Sequence, residues 1–506
     1  MDEDSKPRAF PETLQSLKND KSLPAFISDL ARVEWALYQA AKSEILFEGK
    51  IESLSVNPSL TLVPVTWKNL AGLVTNESDE SALVQESNAV HIIIWRHPKT
   101  NKLRIREAED ADLLALKIAV EKIEPKKAAA MGKVSIDAVE SRLYRAVLQG
   151  ILMAPDSLVR REVLSTAELA PTLESFVTAD VFTLQWHITQ ACDLHCKHCY
   201  DRSDRVPLPY AQAVEILDDF YSFCREMRVR GQVSFTGGNP LLYPEFKNVY
   251  KEASNRGFGV AILGNPSPIA TIEKLLAITK PLYFQVSLEG LEAHNDTIRG
   301  KGHFKRTLVF LEQLRRLDIY TMVMLTLTRD NMDQVIPLAE LLRDRADFFT
   351  FNRLSTVGEG ARLLMATPDA FQTFLREYAA AADENPIMGL KDNLINIIRT
   401  EKGLPPFGGC TGYGCGAAFN FVALLPDGEV HACRKFPSLI GNMLQDRLID
   451  IYHAHPARSY RDGSQACRNC GLNIVCRGCL ASTYSQGLDV FKDKDPFCFM
   501  TTAGSP

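Results

Sequence analysis

Three cysteines at the spacing C-x3-C-x2-C, Cys192, Cys196 and Cys199, lie between Ala191 and Tyr200, directly after the strand-like run from Phe182 to Thr189. Three thiols in so short a loop must converge on one body at the end of a strand. An iron-sulfur cubane normally takes four Cys ligands, so three thiolates would hold three irons and leave the fourth open to a small molecule. The stretch alone also fits a zinc site, because His195 and His198 alternate with the cysteines and zinc accepts mixed Cys and His ligands. A redox pair at Cys196 and Cys199 is a third reading.

The chain has 506 residues, enough for about three domains of ~150 residues. A net charge of -5 gives none of the basic surface that nucleic-acid binding requires. No apolar run reaches the ~18 residues of a membrane span, and the start is acidic and polar, unlike a secretory signal. These features predict a cytoplasmic protein with neither nucleic-acid nor membrane partners. In that compartment its 12 cysteines are expected at metal sites and not in disulfides.

Residues 1–175 contain no cysteine. Phe26, Leu30, Val33, Leu37 and Ala41 recur at helical spacing within a predicted helix over 23–48. Strand-like pieces follow at 59–67 and 90–95, then helices at 113–123 and 135–152 separated by a Lys/Ala/Gly break, with Ser135 suited to a helix start. From 182 to 380 the pattern alternates: strands at 184–189, 232–236, 259–264, 283–288, 320–327 and 348–354, with amphipathic helices between them, such as 210–228 and 304–317. Alternation of this kind predicts an α/β fold, a parallel sheet forming a partial (β/α)6 TIM-like barrel whose chemistry sits at the C-terminal strand ends.

The three-Cys loop resembles the radical SAM family motif, and two further elements fall at the expected strand ends. Thr236-Gly237-Gly238-Asn239-Pro240 is similar to the family's GGEP element, with Asn239 in place of Glu. Ser287-Leu-Glu289-Gly290, followed by His294 and Arg299-Gly300, resembles SLDG...HDxxRG, with Glu289 at the Asp position. The resemblance implies S-adenosylmethionine on the open iron, Gly237, Gly238 and Asn239 at its amino group, Ser287 and Arg299 at its carboxylate, and His198 among the cofactor contacts.

Beyond residue 386 stand Cys410, Cys415, Cys433, Cys467, Cys470, Cys476, Cys479 and Cys498. Their order resembles the SPASM extension of radical SAM peptide-modifying enzymes, with x2 where x3 is usual between Cys476 and Cys479. By position, one auxiliary [4Fe-4S] cluster would use Cys410, Cys415, Cys433 and Cys479, and a second Cys467, Cys470, Cys476 and Cys498. With the SAM cluster this makes three clusters and leaves Cys224 as packing. Cys467, Cys470, Cys476 and Cys479 taken alone would favour a zinc ribbon, which leaves Cys410, Cys415, Cys433 and Cys498 without a purpose.

The implied organisation is an N-terminal α+β, winged-helix-like peptide-recognition or structural domain at 1–178, a barrel at 179–385 and a Cys-rich iron-sulfur SPASM domain at 386–506. The N-terminal block also weakly resembles partner subunits of methanobactin-type oxidases. The implied function is maturation of a ribosomally made precursor peptide, akin to the selenobiotic type, with an electron donor such as flavodoxin or ferredoxin. Thioether formation is favoured because Arg434 and Lys435 stand after Cys433, where sulfatase maturases carry an acidic base. Alternatives are sulfatase-type maturation, a small-molecule radical SAM enzyme, and a zinc-bearing peptide-binding module.

Overall fold

In the computed structural model, residues 24–42, 51–162 and 171–500 are described. They form two compact units, Met1–Asp156 and Ser157–Pro506. The stretch after Ser157 packs with the second unit: Val159 and Ala179 are fully buried in its core, and Leu158 N–H donates to the Met227 carbonyl at 3.0 Å.

The first unit is α+β. Strands β2 (Thr61–Lys68), β3 (Val84–Arg96) and β4 (Leu103–Glu107) form an antiparallel sheet, while β1 (Ser55–Val56) pairs with β5 (Leu152–Met153). The expected N-terminal helix is seen over Ile27–Lys42; residues 24–26 of its predicted span form a turn, and 23 and 43–48 lie outside the described residues. Residues expected as a break instead form the helix Pro125–Gly132. Its Pro occupies the first turn, where no amide hydrogen is needed, and three consecutive alanines carry the helix. The next helix, Ile136–Leu148, starts as expected at Ser135, whose hydroxyl accepts from Ala138 N–H.

In the second unit, β6 (Val181–Thr189), β7 (Arg230–Gly237), β8 (Gly259–Leu263), β9 (Phe284–Ser287), β10 (Thr321–Leu327) and β11 (Phe348–Arg353) pair in parallel and in sequence order, as a partial six-stranded barrel requires. Phe182, Leu184 and Trp186 of β6 are fully buried, Phe182 against Phe220 and Phe223 of the helix Tyr210–Met227 and Trp186 stacked on Phe235 of β7. Each of these aromatic side chains is worth roughly 2–3 kcal/mol on burial. The Cys-rich run is not a detached module. Its first strand, β12 (Phe421–Leu424), pairs in parallel with β6, and β13 (Glu429–His431) and β14 (Leu439–Asn442) extend the same sheet to nine strands. All 12 cysteines are free thiols. No helix among the described residues is long and apolar enough to cross a membrane.

Candidate functional site

The loop after β6 is pinned from three sides. Gly238 N–H donates to the Thr189 carbonyl and Asn239 N–H to that of Ala191, both at 2.8 Å, which lays the Gly-Gly segment against the loop's start. A Cβ on Gly237 or Gly238 would come within about 2.2 Å of those same carbonyl oxygens, so only glycine permits the approach. Lys197 N–H bonds the Ile298 carbonyl at 3.1 Å, and Glu359 N–H bonds that of Cys199 at 2.9 Å. Asp193 accepts from Asn239 Nδ2 at 3.1 Å and from Asn265 Nδ2 at 2.8 Å.

Cys192, Cys196 and Cys199 line a cavity of about 880 Å³ at the barrel mouth, together with Gly237, Gly238, Ser287, His198 and Arg299. That volume lies in the range of small-molecule sites. Asn239 is not on this wall. Its side chain is buried, with Nδ2 donating to Asp193 and Oδ1 accepting from Leu241 N–H at 3.3 Å.

Arg299 is on this wall. Its Nε and Nη2 both donate to Glu289 Oε1, at 2.8 and 2.6 Å, and Nη1 lies 3.7 Å from Cys196 Sγ. The guanidinium thus faces the cluster loop, bound to a buried carboxylate, before any cofactor carboxylate is considered. Glu289 further accepts from His198 Nε2 at 3.0 Å and from Thr326 N–H at 2.7 Å. Burial alone would raise its pKa, but His198 and Arg299 outweigh burial and hold the carboxyl well below the usual range. His198 Nδ1 is buried with no hydrogen-bond partner among the described residues. Sequence reasoning assigned Glu289 no role. Its place in the SLDG-like element was the available signal, whereas Asn265 carried none.

The thiols fit the groups expected of them. Asn265 Nδ2 lies 3.5 Å from Cys192 Sγ, and Arg299 stands by Cys196, so two donors face sulfurs that would carry charge as ligands. Cys410, Cys415, Cys433 and Cys479 line a second cavity of about 370 Å³. Cys467, Cys470, Cys476 and Cys498 line a third of about 30 Å³. The contiguous set required by a zinc ribbon is therefore split, with Cys479 facing the other group. Among the described residues no three Cys, His, Asp or Glu groups close around a single ion. Burial pushes the Cys433 and Cys467 thiols up to about 11, the opposite of the acidic thiol that redox exchange requires.

Buried links tie these cavities together. Arg353, on the walls of both larger cavities, binds Asp495 bidentately at 2.9 and 2.7 Å and Asp392 at 2.8 Å. Asp495 accepts from Cys479 N–H at 2.8 Å and lines the third cavity. Cys415 N–H donates to the Cys476 carbonyl at 3.0 Å, and Asn393 bridges Cys410 N–H and the Gly478 carbonyl at 2.7 and 2.6 Å.

Residues 186–342 match the radical SAM superfamily model and 415–471 the SPASM model, described as an iron-sulfur cluster-binding domain. Mycofactocin maturase MftC of Mycolicibacterium smegmatis is 30% identical over 335 residues, covering 62% of this chain and 82% of the relative. The chain belongs to the radical SAM superfamily. It is a radical SAM enzyme with a SPASM domain, a class that uses S-adenosylmethionine and iron-sulfur clusters. An AdoMet-dependent heme synthase of Methanosarcina barkeri is 25% identical over 345 residues, 62% of this chain and 95% of the relative. The crystal structure of Streptococcus suis SuiB bound to S-adenosylmethionine shares the fold, with a TM-score of 0.53 and 18% identity over 81% of this chain and 96% of that one.

Proposed function

We propose that this radical SAM enzyme is a peptide maturase that oxidatively crosslinks or cyclises a ribosomally made precursor. The observation that carries the reading is the wall of Asn352, Arg353, Arg434 and Lys435, which lines both the three-Cys cavity and the cavity of Cys410, Cys415, Cys433 and Cys479. A substrate lying on this wall meets the site of hydrogen abstraction on one side and a route for the departing electron on the other. When bound, the cofactor pair supplies one-electron hydrogen abstraction. The chain's own part is to seat it on Gly237, Gly238 and Ser287, to keep Arg299 turned to the cluster loop through Glu289, and to enclose the reacting centre.

Eleven cysteines would hold three [4Fe-4S] clusters: Cys192, Cys196 and Cys199 at the first, with the two four-thiol cavities as auxiliary sites. Asp495 and the Cys415–Cys476 amide link connect the auxiliary sites and support transfer from one to the other, then to a donor or acceptor such as flavodoxin or ferredoxin. The names of similar proteins support a peptide substrate: MftC is a maturase, and SuiB has also been solved with its precursor peptide SuiA, in a structure matching at a TM-score of 0.51. The Met1–Asp156 unit would hold a leader segment, raising the effective concentration of the core peptide. A thioether is the favoured bond, because Arg434 beside Cys433 cannot act as a base and instead favours a substrate thiolate. The heme synthase relative supports a second reading, a small-molecule substrate.

The test is mass spectrometry of candidate Cys-containing peptides after incubation with reconstituted enzyme, S-adenosylmethionine and reductant. Loss of two hydrogens per event with the sulfur retained and no longer alkylatable supports the reading. An aldehyde product, or a modified cysteine that still alkylates, counts against the thioether. Turnover of a porphyrin but of no peptide counts against the maturase.

A further inference from the structure

The wall shared by the two larger cavities carries positive charge that the protein does not neutralise. Of its four residues, Arg353 is matched by Asp392 and Asp495. Arg434 and Lys435 have no such partner among the described residues: Arg434 lies over the Tyr200 ring at 5.8 Å, and Lys435 Nζ donates to the Arg353 carbonyl at 3.3 Å. Behind them Lys391, on the four-thiol cavity, donates to Asn352 Oδ1 at 2.9 Å. Burial first, then Lys435 and Arg434, bring Lys391 down to about 8, while the Cys410 and Cys433 thiols pull the other way. The three cations are part-buried with no carboxylate partner among the described residues; the thiols of Cys410, Cys415, Cys433 and Cys479 on the same cavity would offset part of this charge as cluster ligands, and a substrate anion on the cofactor side would meet the rest. A substrate thiolate would match one of the three charges. A carboxylate, with two acceptor oxygens, suits a guanidinium flanked by ammonium groups.

We propose that Arg434, Lys435 and Lys391 form a carboxylate-binding subsite that anchors an acidic group of the substrate at the junction of the two cavities. The identity of that substrate as a peptide rests on the maturase reading; the subsite does not. Anchoring there fixes which carbon neighbouring the carboxylate faces the three-Cys loop, and so selects the residue that reacts. The carboxylate is either a peptide C-terminus or an Asp or Glu side chain.

The experiment is calorimetric titration of full-length reconstituted enzyme, with S-adenosylmethionine present, using three probes. N-acetyl-alanine offers a terminal carboxylate, N-acetyl-glutamate α-amide a side-chain carboxylate, and N-acetyl-alanine amide neither. At least one carboxylate probe should bind roughly tenfold or more tightly than the amide, since a charge-assisted pair is at stake. Whichever does so identifies the source. Lys391→Met and Arg434→Gln should each abolish most of that preference, and Lys391→Arg should retain it, which guards against a folding defect. Equal affinity for all three probes would overturn the proposal. So would a preference that survives both charge-removing variants while the midpoint potential of an auxiliary cluster shifts, because the cations would then serve the cluster alone. Absence of any modified peptide would leave these titrations unaffected, so failure of the maturase reading and failure of the subsite are separable.

Discussion

Replacing Glu289 by Gln isolates the buried hub behind the cluster loop. One oxygen of Glu289 accepts Arg299 at 2.8 and 2.6 Å and His198 at 3.0 Å, and the other accepts Thr326 N–H at 2.7 Å. A Gln amide nitrogen must face one of these donor sets, and Arg299 loses the only carboxylate it pairs with among the described residues while remaining buried. Removing one partner of a buried pair costs about 3–5 kcal/mol, and Gln keeps one acceptor oxygen, so about 3 kcal/mol is expected. For a unit the size of Ser157–Pro506, an unfolding entropy near 2.1 cal/mol/K per residue converts this to a fall in Tm of roughly 4 °C. Because the folded pKa of Glu289 is depressed, its contribution is complete above the usual value of 4.5 and is lost as pH falls below it. Calorimetric scans from about pH 6 to 8 should therefore show a constant gap between wild type and variant, with weaker S-adenosylmethionine binding throughout. A variant with unchanged Tm and unchanged cofactor affinity would refute the hub's role.

The remaining expectations are more direct. Anaerobically reconstituted protein should hold about twelve irons, and joint replacement of Cys192, Cys196 and Cys199 by Ala should remove about one third of them; stoichiometric zinc in the Cys-rich region would refute the auxiliary clusters. Asp495→Asn should shift the midpoint potentials of both auxiliary sites, read by EPR-monitored redox titration, because Asp495 bonds the Cys479 amide and lines the third cavity. A shift in neither would limit Asp495 to packing. Deleting residues 1–156 should weaken peptide binding while leaving uncoupled cofactor cleavage largely intact, and unchanged peptide affinity would make that unit purely structural.

The elements that follow local rules were legible in the sequence. The six barrel strands fall within a few residues of their hydrophobic runs, and Ser135 caps its helix as its side chain dictates. The resemblance to the SPASM extension implied two interleaved cysteine sets, and the two cavities are lined by Cys410, Cys415, Cys433 and Cys479 and by Cys467, Cys470, Cys476 and Cys498. What the sequence hid is non-local. Arg353 and Asp495 are 142 positions apart, and nothing near either marks the other as its partner. Asn239 gives no sign in the sequence that its amide donates to Asp193, 46 residues earlier. The junction of β12 with β6 depends on an edge that only the folded barrel exposes. The helix Pro125–Gly132 was missed because Lys, Ala and Gly together read as a break, although its alanines are strong helix formers.

The central claim is that a hydrogen atom is taken from a peptide held between the cofactor cavity and the auxiliary thiols. It is tested most directly by incubating the reconstituted enzyme with a perdeuterated precursor peptide and following the label by mass spectrometry. The account requires one deuterium in 5'-deoxyadenosine for each two-hydrogen loss from the peptide; deoxyadenosine carrying only solvent hydrogen, beside a peptide that has nonetheless changed, would contradict it.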